Sequence, residues 1–86
     1  MTYDYAIKLV QSQKRNLKKV NGIVIDHKGY QYRLTYYGGF SEYIAIDRRQ
    51  IGKRNYKYFS GIGAYHCLSV AGAVAACMEE IERKAS

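Results

Sequence analysis

The residues of this chain that could do chemistry fall into three groups, and two of them lack the spacing their chemistry needs. His27, His66, Cys67 and Cys77 are metal-ligand types, yet no C-x-x-C or H-x-x-x-H pair is present, so they read as buried helix cysteines and surface histidines. Cys67 would become a nucleophile only if the ring of His66 faced the thiol, and neighbours on a helix point about 100° apart. Asp26, Glu42 and Asp47 fall on different strands without an acid–base arrangement, while Glu79, Glu80 and Glu82 read as the solvated end of a helix. Metal-dependent nuclease chemistry would rest on those few strand-borne acids alone. The expectation is a protein that is not an enzyme and that uses no metal and no cofactor.

The third group is larger. Residues 30–58 hold seven of the ten tyrosines and six of the fourteen lysines and arginines, in a chain with no proline and no tryptophan. Flat rings stack on bases while fixed cations hold phosphates, so a mixture of this kind suits a binding surface. The candidate residues are Arg33, Tyr37 and Tyr43 on strands, then Arg48, Arg49, Lys53, Arg54, Tyr56, Lys57 and Tyr58 further on. The plainer reading is structural: tyrosine is a good strand former, and ring edges cover the aliphatic stems of Lys and Arg.

Charge favours the binding reading. The net charge is +7, no acid occurs between Asp47 and Glu79, and a second basic run lies at Lys14, Arg15, Lys18 and Lys19. Such a field attracts polyanions, DNA or RNA first, or a protein with an acidic surface.

These residues must be positioned by a small set of elements. Ile7, Val10 and Leu17, with Thr2 as N-cap, predict a helix over residues 3–18 that Asn21-Gly22 ends. Alternation predicts strands over residues 22–27, 30–37 and 40–47, with turns at Lys28-Gly29 and Gly38-Gly39. Residues 48–53 read as a basic loop, and residues 56–59 as a short fourth strand or an extension of the third beyond a bulge. Gly61-Ile62-Gly63 reads as the turn into a C-terminal helix from residue 64 or 65 to 84; a phosphate bound there would meet the amides of Gly63 and Ala64. Cys67, Val70, Ala71, Val74, Cys77, Met78 and Ile81 form the apolar stripe of that helix. On a helix, ten residues hold the two cysteines about 15 Å apart, which excludes a disulfide between them.

The fold expected is α+β, in the order α-β-β-β-(β)-α: an antiparallel sheet of three to four strands with two helices packed on one face. Leu34, Ile44 and Ile46 should then face the core with Tyr30, Tyr32, Tyr36 and Phe40. Arg33, Thr35, Tyr37 and Tyr43 are left on the open side. All 86 residues read as one domain. The opening residues lack the apolar run of a signal peptide, residues 70–78 are too few to span a bilayer, and the cysteines read as reduced, so a cytoplasmic location is expected. A homodimer through a sheet edge or the alanine-rich helix is sterically easy.

This element order resembles that of double-stranded RNA-binding domains, and Val70-Ala71-Gly72-Ala73-Val74-Ala75-Ala76 is similar in texture to that family's second helix. Where the family carries a basic cluster, this chain reads Ala64-Tyr65-His66-Cys67. A sheet followed by a helix is also similar to the small DNA-binding domains of some phage integrases. Both resemblances imply nucleic-acid binding without catalysis. Small size and strong charge resemble instead the phage-encoded inhibitors of host defence, including anti-CRISPR proteins. That resemblance implies a host nucleic-acid-handling protein as partner of the same patch, since Tyr and Arg are favoured in protein interfaces.

Overall fold

The computed structural model describes residues 16–85. Four antiparallel strands, β1 (Val24–His27), β2 (Tyr30–Tyr37), β3 (Tyr43–Gln50) and β4 (Lys57–Gly63), form one sheet in the order β1-β2-β3-β4. A 3-10 turn at Leu17–Val20 precedes it and one helix, α1 (Val70–Ala85), follows. The fold is α+β, with one helix among the described residues where two were expected. Most of the expected N-terminal helix lies outside those residues; its end, Leu17 and Lys18, belongs to the 3-10 turn, which sinks Leu17 and Val20 into the core.

Register is set by the demand that every large apolar side chain of β2 and β3 reach the same face. The observed pairing puts Leu34 opposite Ile46 and Tyr36 opposite Ile44. A two-residue Gly38-Gly39 turn would slide the strands and set Leu34 against Tyr43, splitting the apolar set between faces. The connection is instead five residues long, with Tyr37 opposite Tyr43 and only Gly39 of the pair at positive φ. This corrects two expectations: β3 begins at Tyr43, and Phe40 is fully exposed in the loop. The β1–β2 turn does close in two residues, Lys28 at φ 49° and Gly29 at φ 85°, as a hairpin requires.

β3 also runs further than expected. Arg48 and Arg49 are paired strand residues, opposite Tyr32 and Gln31, and the loop after β3 comprises residues 51–56. A polar Asp-Arg-Arg-Gln run reads as loop from composition, but each arginine has a ring beside it to cover its stem. β4 is longer too, and takes up Gly61-Ile62-Gly63 as strand. A bulge interrupts its pairing: Ser60 lies opposite Ile46, Tyr58 opposite Asp47, and Phe59 is the extra residue between.

Tyr32, Leu34, Ile44 and Ile46 are fully buried with Val20, Cys77 and Ile81, and Tyr30, Tyr36, Phe59 and Ile62 pack around them. The helix starts at Val70, not at residue 64 or 65. Ser69 caps it, its Oγ accepting a hydrogen bond from the Gly72 amide at 3.0 Å. Its buried stripe is Ala73, Cys77 and Ile81 with Val70 and Val74 beside it, while Ala71 and Met78 are exposed. Cys67 therefore sits before the helix, and both cysteines are buried in one core without a disulfide; helical spacing is not what keeps them apart. Two hydrogen bonds fasten the helix to β4: Ser60 Oγ donates to Glu80 at 2.5 Å, and Lys84 Nζ to the Phe59 carbonyl at 2.7 Å. No helix of the described residues is long and apolar enough to cross a membrane.

Candidate functional site

With the 3-10 turn and α1 on one face, alternation puts a second set of side chains on the other. Across β2, β3 and β4, Arg33 lies opposite Asp47, which lies opposite Tyr58; Tyr37 lies opposite Tyr43, which lies opposite Gly63. The Tyr37 and Tyr43 rings stack, centroids 5.1 Å apart and planes 16° from parallel. Tyr58, 68% exposed, stretches forward along its own strand. Its hydroxyl stands 3.1 Å from where a side chain on Gly61 would begin, and the Tyr43 ring 3.4 Å from the same point. Glycine there lets both rings lie down on the sheet.

The other half of this face is cationic. Tyr56, reached by the chain as it leaves the β3–β4 loop, lies beneath two guanidiniums, Arg33 at 4.2 Å and Arg49 at 4.5 Å from its centroid. Arg49 is further fixed by donating from Nε to Gln31 at 2.9 Å and from Nη1 to the Arg54 carbonyl at 3.2 Å. Arg33 also meets Asp47 at 3.5 Å, which offsets the β3 carboxylate of this face; a second carboxylate, Asp26, lies opposite Gln31 on the β1 edge. The Ile51 amide donates to the Gly29 carbonyl, tying the loop to the neighbouring hairpin, and Gly52 at φ 93° turns it.

Around the end of the sheet runs a groove of about 520 Å³ lined by Tyr30, Arg48, Arg49, Gln50, Lys53, Arg54, Asn55, Lys57 and Tyr58. Five cations and no carboxylate line it. Arg48 enters from the helix side of the sheet, its guanidinium over Tyr30 at 4.5 Å and Phe59 at 4.6 Å. The ten candidate residues thus divide. Arg33, Tyr37, Tyr43, Arg49, Tyr56 and Tyr58 share the open face; Lys53 and Arg54 stand in the loop at its cationic end; Arg48 and its cross-strand partner Lys57 turn to the opposite side and join through the groove.

Sequence reasoning passed over Tyr30, Gln31, Gln50 and Asn55. Gln31 is legible as the same-face neighbour of Arg33, two residues away on a strand, while Tyr30 both packs against the core and lines the groove. It also passed over a second groove, about 410 Å³, where Phe40, Tyr43 and Tyr65 surround Gly39, Ser41, Glu42 and Gly63 at the other end of the open face. Gly63 is strand here, and the Ala64 amide is spent on the Glu42 carbonyl at 3.0 Å, so this glycine pair is no helix-start phosphate cradle.

The two clear pKa displacements lie on the helix side. Burial, reinforced by Cys67 and Glu80, pushes the Cys77 thiol up to about 12, which keeps it protonated and unreactive. The Ser60 hydroxyl, then Arg83, hold the Glu80 carboxyl below its usual value. Both belong to the packing of α1 on β4. Compared with known protein families, curated proteins and solved structures, the chain matches none of them.

Proposed function

We propose that this protein binds nucleic acid, without catalysis, through the open sheet face and the groove at its β3–β4 end. The observation that carries the reading is the groove itself, lined by five cations and no carboxylate at one end of the open face. Phosphates bind to such a groove because each contact releases a condensed counterion, a gain that falls with added salt. Arg48 and Arg49 are held by rings and hydrogen bonds; Lys53, Arg54 and Lys57 are the exposed contacts.

The test is a salt titration of binding to labelled DNA and RNA oligonucleotides. With five phosphate contacts the slope of log K against log salt is about −3.5 for a single strand and −4.5 for a duplex. Replacing Lys53, Arg54 and Lys57 by alanine removes about 2 from the single-strand slope. A flat response, or no binding at low salt, rejects the reading.

A second reading is a small inhibitor, of the phage-encoded kind, that binds a host nucleic-acid-handling protein. Fully exposed Phe40 and 76% exposed Tyr65 favour it, since exposed aromatics beside a groove are typical protein anchors. Capture of one discrete protein from nuclease-treated lysate, joined to a flat salt response, supports this reading over the first. A cytoplasmic location fits both, and the exposed edge of β4 leaves a homodimer sterically open.

A further inference from the structure

The open face has a feature that phosphate contact alone does not use. Tyr37 and Tyr43, 48% and 39% exposed, stand at the end of the face opposite the cations, and Tyr58, 68% exposed, borders the groove and reaches toward them. Tyr43 and Tyr58 lie close over Gly61, and Tyr65 lies as close over Gly63, its ring 3.1 Å from the place of a side chain there. Two glycines at alternate positions of β4 make that side of the sheet low and flat, with rings around it.

We infer that the nucleic acid is single-stranded and lies along the open face, phosphates toward the cation-lined groove and bases against Tyr58, Tyr43 and Tyr37. The inference rests on the nucleic-acid reading above and deepens it. A duplex buries the faces of its bases and offers a sheet phosphates and groove edges but no π-face, so exposed tyrosine rings would have nothing to stack on. An unpaired strand offers a π-face at every base, and stacking on aromatic rings tolerates any sequence. From Arg49 to Tyr43 along β3 is about 20 Å, enough for a few extended nucleotides to pass from the cationic end to the aromatic one. The Arg33–Asp47 pair between them offsets the carboxylate of β3, while Asp26, on the same face, stands away on the β1 edge.

The experiment compares a fluorescein-labelled strand of about 15 nucleotides, as DNA and as RNA, with the same strand annealed to its complement, at one fixed salt concentration. Single strands should bind at least about 10-fold tighter than duplex, the scale of one or two stacked bases. Tyr43→Ala with Tyr58→Ala should weaken single-strand binding by about 10-fold or more while leaving the salt slope unchanged. Tyr43→Phe with Tyr58→Phe should retain it, because the ring stacks and the hydroxyl does not. Tyr58→Ala alone guards against a folding defect, since that side chain is mostly solvent-exposed. With no tryptophan in the chain, quenching of tyrosine emission by single strands gives a second readout. Equal or tighter duplex binding, or alanine variants that hold single strands like the parent, overturns this inference and leaves nucleic-acid binding standing. Absence of binding to every probe at low salt overturns both.

Discussion

Tyr56 provides a quantitative test of how the cationic end of the face is built. Its ring receives two guanidiniums, Arg33 at 4.2 Å and Arg49 at 4.5 Å, and it is the residue where the β3–β4 loop rejoins the sheet. Each such contact at a partly exposed site contributes about 0.5–1 kcal/mol. Tyr56→Leu keeps apolar bulk and removes the quadrupole, so it should destabilise the fold by about 1–2 kcal/mol. In a domain of this size that lowers Tm by roughly 5–15 °C. Tyr56→Phe keeps the ring and should stay within about 0.5 kcal/mol of the parent. Urea denaturation followed by circular dichroism measures all three. A double-mutant cycle with Arg49→Leu then isolates the ring–guanidinium coupling from the bonds Arg49 makes to Gln31 and Arg54. Equal losses for the Leu and Phe variants, or a coupling below about 0.3 kcal/mol, would show that the arginines do not depend on the ring.

Other outcomes follow from the same contacts. Gly61→Ala has no backbone penalty, but its methyl meets the Tyr58 hydroxyl at 3.1 Å; the flexible ring gives way, so stability should change by less than about 1 kcal/mol while single-strand binding weakens. Ser60→Ala removes the donor that most lowers the Glu80 pKa and should cost about 1–2 kcal/mol at neutral pH. Because the folded carboxyl is the stronger acid, that contribution exists above the unfolded pKa of about 4.3 and fades as pH falls through the folded value. Thermal scans from neutral to acid pH should therefore show parent and variant converging. Cys77, held up to about 12, should resist alkylation by iodoacetamide in the folded protein and react on unfolding; its contribution to stability is lost as pH rises from about 9 toward 12.

The face assignment of the tyrosines was legible because alternation is a strict physical period: Leu34, Ile44 and Ile46 turned inward together, and Tyr37 and Tyr43 had to turn outward. The helix start was harder, since the alanine-rich run extends the helical pattern in both directions and only Ser69, placed three residues before Gly72, marks the cap. Arg48 was misplaced for a different reason. Two adjacent arginines on a strand point to opposite faces, yet their charge suggested a shared loop, and the rings that cover Arg48, Tyr30 and Phe59, come from strands distant in sequence. The second groove could not be anticipated while Phe40 was counted as core. Its exposure follows from the β2–β3 register, which the glycine pair alone did not reveal.

The extra residue in β4 makes the division between the two surfaces of the sheet depend on a count. Phe59 and Ser60 are consecutive yet both serve the helix side, one under Arg48 and Lys84, the other bonded to Glu80, and only the bulge permits that. It also returns Tyr58 to the outer surface. Deleting one residue from the loop before Lys57, with the bulge closed to regular pairing, would exchange the two aromatic positions, sending a phenylalanine out to solvent and a phenol into the packing under the helix. A lineage of such chains could thus change what its outer surface presents by an insertion or deletion of one codon, with no substitution at any contact residue.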